Sequence, residues 1–287
     1  TASTTLKALY ASGYKVVPCS AGPSAGDGES QLLENIIANV DALRFEGADA
    51  LWRSHTPDFW RRHADLLHRL ARRASDAGWP LLTFDMVSKT LAAGGPEAPP
   101  LPRRTEAELR HLAVLSLMEV GALERAGQEL AKIEAHKDFH GELEGLRGRL
   151  AKVRGMRAAS PEAARRWFDE AGKTYRAAYL TARDLFRSTG SAEEGTTAYY
   201  LGINAAAMCA WAGRREEART MAAEVLVICD ALAQSAAPGT GPDPWLEATR
   251  GEAHLLRHEP AAAGEAYRTA ARALQDRWRP LQSMRRQ

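Results

Sequence analysis

Few side chains in this 287-residue chain stand where they could do chemistry together. Gly22-Pro23-Ser24-Ala25-Gly26 reads GxSxG, the turn that exposes a nucleophilic serine between a strand and a helix in α/β-hydrolases. Tyr14-Lys15-Val16-Val17 could supply the strand. Asp27-Gly28-Glu29 then delays the helix, and no alternating strand–helix series follows to build a sheet. A serine hydrolase acting through Ser24 is therefore the alternative reading rather than the leading one. The same loop lacks the lysine of a phosphate-binding GxxxxGK.

His136 and His140 are four residues apart, but no glutamate follows His136 as HExxH requires. His63 and His68 are five apart, which takes them off one helix face. Cys19, Cys209 and Cys229 contain no CxxC pair, which fits a reducing compartment, and the last two read as buried small hydrophobes. No metal and no cofactor is expected from these patterns. Arg61, Arg62, Arg69, Arg72 and Arg73 form a basic stripe, and Arg277, Arg279, Arg285 and Arg286 add charge near the C-terminus. Such a stripe could grip phosphates, so a helical-repeat nucleic-acid binder is a further alternative. Asp58, Asp65 and Asp76 offset it, and 38 basic against 36 acidic residues leave a net charge of +2. That balance gives no general pull toward nucleic acid or a membrane surface.

The elements that must carry these residues are helices. Fifty-four alanines, abundant Leu, Arg and Glu, and almost no β-branched runs predict an all-α chain. An apolar content of 45% can bury a core. No apolar run approaches the roughly 18 residues of a membrane span. No basic region followed by an apolar stretch opens the chain, so a cytoplasmic protein is expected. Residues 1–29 read as an N-terminal segment with a Gly-rich loop, 30–98 as helical repeats, and 99–287 as further repeats beyond the 94–102 GGPEAPPLP linker. Leu32, Leu33, Ile36, Ile37 and Val40 mark a helix from Ser30. Another is expected from Asp58 to Ala77, opened by Thr56-Pro57 and closed by Gly78. Pro161 to Arg187 reads as one unusually long helix, and Phe139-His140-Gly141 as a turn.

A plan recurs along the chain: a small residue, a turn residue, and a second small residue twelve positions after the first. Ala206 and Ala218 flank Gly213, and Gly251 and Ala263 flank Arg257-His258-Glu259. Val114 and Ala126 flank Gly121, Ala151 and Ala163 flank Ser160-Pro161, and Ala71 and Thr83 flank Gly78. Small side chains let two antiparallel helices approach closely, which is the logic of tetratricopeptide repeats. Corresponding positions 83, 126, 163, 218 and 263 are 43, 37, 55 and 45 apart, so the repeats are irregular. The predicted fold is an all-α, tetratricopeptide-like helical-hairpin solenoid with a groove along one side.

The stretch from Thr197 to Ala206, TAYYLGINAA, resembles the YYxGINAA pattern of the TRAFs-binding domain. That domain is a tetratricopeptide-like region of the apoptosis signal-regulating mitogen-activated protein kinase kinase kinases and of many bacterial proteins. Residues 59–67, 146–149, 245–249 and 278–284 are similar to bacterial members, while Lys152-Val153-Arg154 departs from their pattern. The resemblance implies a regulatory scaffold that binds partner proteins, with no catalytic chemistry of its own. On a tetratricopeptide frame Tyr200, Ile203, Ala207 and Trp211 face the groove, as do Trp245, Ala248, Glu252 and Leu256. Asn204 is polar on an otherwise apolar helix and is expected to bond a backbone group of the next helix or loop. These nine residues are the predicted contact surface for a protein or peptide partner, or for another domain of a longer parent chain.

Overall fold

A computed structural model describes residues 44–93, 100–133, 140–237, 239 and 241–274. Twelve α-helices and no strand are found among the described residues. Tyr14–Val17, the Ser24 loop, Cys19, the helix from Ser30, His136, most of the 94–102 linker and the C-terminal arginines lie outside them, as does the side chain of His140. The chain divides into two units, 1–134 and 135–287.

The N-terminal unit holds α1 (Phe45–Arg53), α2 (Pro57–Arg62), α3 (Ala64–Asp76), α4 (Pro80–Ala92), α5 (Arg103–Val120) and α6 (Leu123–Ala131). Thr56 opens α2: its hydroxyl accepts from the Phe59 N–H at 3.3 Å, and Pro57 occupies the first turn. The single helix expected from Asp58 to Ala77 is instead broken at His63, whose φ and ψ are −112° and 48°. Ring packing holds the break. Phe59 stacks on His55 at 4.0 Å and meets His63 at 4.6 Å. Trp60 is fully buried, with its indole N–H donating to the Trp52 carbonyl at 3.0 Å. Beyond the break, Leu66, Leu67, Leu70, Ala71 and Ala74 turn inward at helical spacing. Arg62, Arg69 and Arg72 are left exposed to solvent.

The C-terminal unit holds α7 (His140–Met156), α8 (Pro161–Thr189), α9 (Ala192–Trp211), α10 (Arg215–Ser235), α11 (Pro244–Leu256) and α12 (Pro260–Ala273). His140 and Gly141 begin α7 rather than forming the expected turn. Ser160 caps α8 by accepting from the Ala163 N–H at 3.1 Å, and the helix runs 29 residues to a left-handed Gly190. Asp243 caps α11 in the same way, 2.9 Å from the Trp245 N–H.

Antiparallel hairpins α3/α4, α5/α6, α7/α8, α9/α10 and α11/α12 build both units, and in the C-terminal unit each hairpin packs on the next. The small–turn–small plan maps onto them. Gly78, Gly121 and Gly213 adopt φ of 81°, 84° and 90°, and His258 makes the equivalent turn at 62°. Ala71, Thr83, Val114, Ala126, Ala206, Ala218, Gly251 and Ala263 are all buried, while Ala163 is only half-buried. This is the all-α, tetratricopeptide-like hairpin fold that the pattern predicts.

Close approach in the C-terminal unit depends on glycines that receive aromatic rings. A Cβ on Gly148 would lie 2.7 Å from the Tyr175 ring, and one on Gly155 2.5 Å from Phe168. Tyr179 sits nearly as tightly on Gly202, and Tyr267 on Gly251, both at 2.9 Å. No larger residue fits these positions without moving a packed ring.

Candidate functional site

A polar cluster gathers where α7, α9 and α11 meet. It starts from a row on α7: Gly145, Gly148, Lys152 and Gly155, spaced three, four and three residues apart, share one helix face. Three members make room for rings of α8 and α9: Gly145 lies 3.4 Å (ideal Cβ) from Tyr200, and Gly148 and Gly155 receive Tyr175 and Phe168. The fourth, Lys152, projects among them. Its ammonium donates to Asn204 Oδ1 at 3.5 Å and stands 5.4 Å from the centre of the Trp211 ring.

Charge and burial conflict here. Burial lowers the Lys152 pKa, with nearby Arg149 acting the same way and Glu252 of α11 opposing. Glu252 is only 7% exposed, and burial pushes its carboxyl up to about 7 against the pull of Lys152. Glu252 and Arg149 make no hydrogen bond or ion pair among the described residues. Tyr175 is buried beside Tyr200, and burial holds its phenol neutral. Burial likewise raises Tyr267 of α12, to about 12.

The predicted contact residues divide by exposure. Tyr200, Trp211 and Trp245 are exposed at 41%, 39% and 43%, and Trp211 leans edge-on against Phe168 at 5.0 Å. Leu256 is half-buried against the core. Asn204 and Glu252 are buried at the cluster. Ile203 and Ala207 lie inside the core, and Ala248 is buried against Ala270 and Leu274. The core claims Ile203 and Ala207 because α9 is enclosed by α8, α10 and α11, so its apolar face extends further round than one repeat pair requires, while Ala248 is covered by the α12 hairpin partner of α11. Asn204 departs from expectation as well. Its Nδ2 donates to the Tyr200 carbonyl of its own helix at 2.9 Å, which frees Oδ1 for Lys152.

Arg149, Lys152, Tyr175 and Tyr267 were absent from the predicted surface. The Gly145–Gly148–Lys152–Gly155 row was the available signal, because a cation in line with glycines must lie at a close helix contact. Elsewhere, a cleft of about 480 Å³ lies between α10, α11 and α12, with Val227, Asp230, Arg250 and His254 among its lining. Arg250 is paired there with Asp230 and with Glu247 at 3.0 Å. Cys209 and Cys229 are buried free thiols, with Cys229 pushed up to about 12 by burial. No group of three or more His, Cys, Asp or Glu among the described residues could hold a metal ion. No described helix is long and apolar enough to cross a membrane.

Residues 85–209, from α4 through most of α9, match the family described as Tetratricopeptide Repeats-Sensor. The chain is also similar to a solved structure of the nearly identical tetratricopeptide-like repeats of a kinesin light chain from Podosopora anserina. That similarity has 14% identity and a TM-score of 0.42, covering 77% of this chain and 97% of that one. No curated protein matches the chain.

Proposed function

We propose that the chain is a non-catalytic, cytoplasmic interaction and regulatory module that docks a protein segment, or another domain of a longer parent chain, along α7, α9 and α11. Tetratricopeptide-like repeats generally mediate protein–protein interaction. The observation that carries the reading is Tyr200 and Trp211 standing exposed on one face of α9, on either side of the Lys152–Asn204 contact. Large aromatics of this kind anchor partners, because they bury much apolar area at little entropic cost. Trp245 extends the exposed aromatic surface on α11, one helical face with Glu252. The likeness of Thr197–Ala206 to the TRAFs-binding domain supports a regulatory scaffold, and the match to a repeat family described as a sensor agrees with it.

Site-specific photo-crosslinking in cells tests this. A benzophenone side chain at position 200 or 211 is expected to capture a polypeptide. The same group in place of Val227, 69% exposed on α10 beside the other cleft, is expected to capture none. Equal capture from both places, or capture from 227 alone, would overturn the reading.

A further inference from the structure

We propose that this face takes an acidic peptide segment, one carboxylate of which pairs with Arg149 and Lys152 while neighbouring apolar side chains pack on Tyr200 and Trp211. The inference rests on the docking function proposed above and names the chemistry of its partner.

Charge matching carries it. Between α8 and α10, cations and anions are paired off: Arg214 with Asp169, Arg176 with Glu217, and Arg183 with Glu224 at 3.3 Å. The Tyr179 hydroxyl also donates to Glu224, at 2.9 Å. The α7–α9–α11 face is not matched in this way. Arg149 is half-buried and has no ion pair among the described residues. Lys152 has one long hydrogen bond to a neutral amide and a ring beneath it. Among the described residues, the groups around these two cations and Glu252 are Tyr175 of α8, Tyr200 and Asn204 of α9, and Tyr267 of α12 beside Glu252 of α11. Of these only Glu252 can bring negative charge, and its burial favours the neutral carboxyl. Among the described residues, two cations therefore meet at most one anion. A protonated Glu252 could also donate a hydrogen bond to an incoming carboxylate or peptide carbonyl, since it makes no hydrogen bond among the described residues.

Spacing favours a chain over a small anion. Tyr200 and Trp211 are eleven residues apart on α9, about 16 Å along a helix axis. That span matches about five residues of extended peptide. The cationic centre lies between the two rings, since Lys152 touches both Asn204 and Trp211. A free carboxylate or phosphate would satisfy the charge and leave both rings in water.

A randomised peptide library displayed on phage, panned on the whole chain, tests the proposal. The recovered sequences are expected to be enriched in Asp and Glu beside apolar residues. Binding of a recovered peptide, followed by fluorescence polarisation, should weaken about tenfold or more in Arg149→Ala and in Lys152→Gln. Replacing the peptide's acids by amides should weaken it as much, and Glu252→Gln should tighten it. Arg149 is half-exposed, so its variant keeps the test meaningful if Lys152→Gln fails to fold. Recovery of no peptide, recovery without acidic enrichment, or indifference to Arg149→Ala overturns the proposal. If Tyr200→Ala and Trp211→Ala weaken binding while Arg149→Ala does not, the docking face survives and the acidic partner falls. If none of these variants matters, both fall. Displacement of the peptide by an equal concentration of free glutamate or inorganic phosphate would assign the cations to a small anion and overturn the peptide.

Discussion

The N-terminal unit builds its core mainly from leucines packed around two buried indoles. Trp52 and Trp60 lie 5.9 Å apart among leucines, and the Trp52 indole reaches across to Asp85 at 3.0 Å. In the C-terminal unit alanine is the commonest residue of the core around α9, and rings from neighbouring helices sit on Gly148, Gly155, Gly202 and Gly251. Both units use the same hairpin plan, so the plan alone does not dictate how helices are spaced. Bulky cores hold backbones apart and seal the contact with apolar atoms. Glycine and alanine contacts bring backbones together, and side chains rooted on three different helices then converge at one place. The Lys152, Asn204 and Glu252 cluster is a product of the second mode.

The largest effect should come from the bulky core. Trp60→Ala removes a fully buried indole and its hydrogen bond, and should cost about 3–5 kcal/mol in denaturant unfolding. A loss below about 1 kcal/mol would show that the N-terminal unit does not depend on its rings, and the contrast would fail.

The polar cluster gives the next largest effect, with the opposite sign. Glu252 has a folded pKa of about 7, raised by burial, against roughly 4.3 for an unperturbed glutamate. The folded state therefore holds the proton more tightly than the unfolded chain. Its contribution to stability is full below pH 4 or so, declines as the pH rises to about 7, and is flat above. Glu252→Gln should abolish that decline and make the chain more stable at pH 8, by an amount on the order of 3 kcal/mol. Lys152, lowered by burial, acts at higher pH and in the other direction, since its folded form sheds the proton first. Unfolding midpoints from pH 5 to 8 that run parallel in the two proteins would remove the buried carboxyl from the account.

The smallest effect probes one glycine contact. Gly202→Ala puts a Cβ 2.7 Å from Val225 and 2.9 Å from the Tyr179 ring, which the Tyr179–Glu224 hydrogen bond holds in place. Crowding of about 1–3 kcal/mol, less the ~1 kcal/mol that alanine gains over glycine within a helix, leaves a net loss of about 1 kcal/mol. A stabilised variant would mean that the ring yields and that close approach is not required there.

Much of the hairpin scheme was readable because its causes are local. A glycine in the left-handed region ends a helix wherever it occurs, and a small residue is needed on each side of a tight crossing. Gly78, Gly121 and Gly213, with their paired small residues, could be found by counting along the chain. Even so, His63 was missed as a break, because rings of three separate residues enforce it. Helical phase alone placed Tyr200, Asn204 and Trp211 together, and it put Glu252 on the matching face of α11. It also placed Ile203, Ala207 and Ala248 there, because a single-helix projection does not show how far neighbouring helices wrap around.

What the sequence determined by itself is the succession of helices, their turns and the positions where a neighbour can come close. Each of these follows from backbone preference and side-chain volume within a few residues. The meeting of Lys152 with Glu252, a hundred positions further on, was decided only by tertiary structure. So was the shift of that carboxyl toward neutrality, since desolvation depends on what packs around a group and not on its neighbours in the chain.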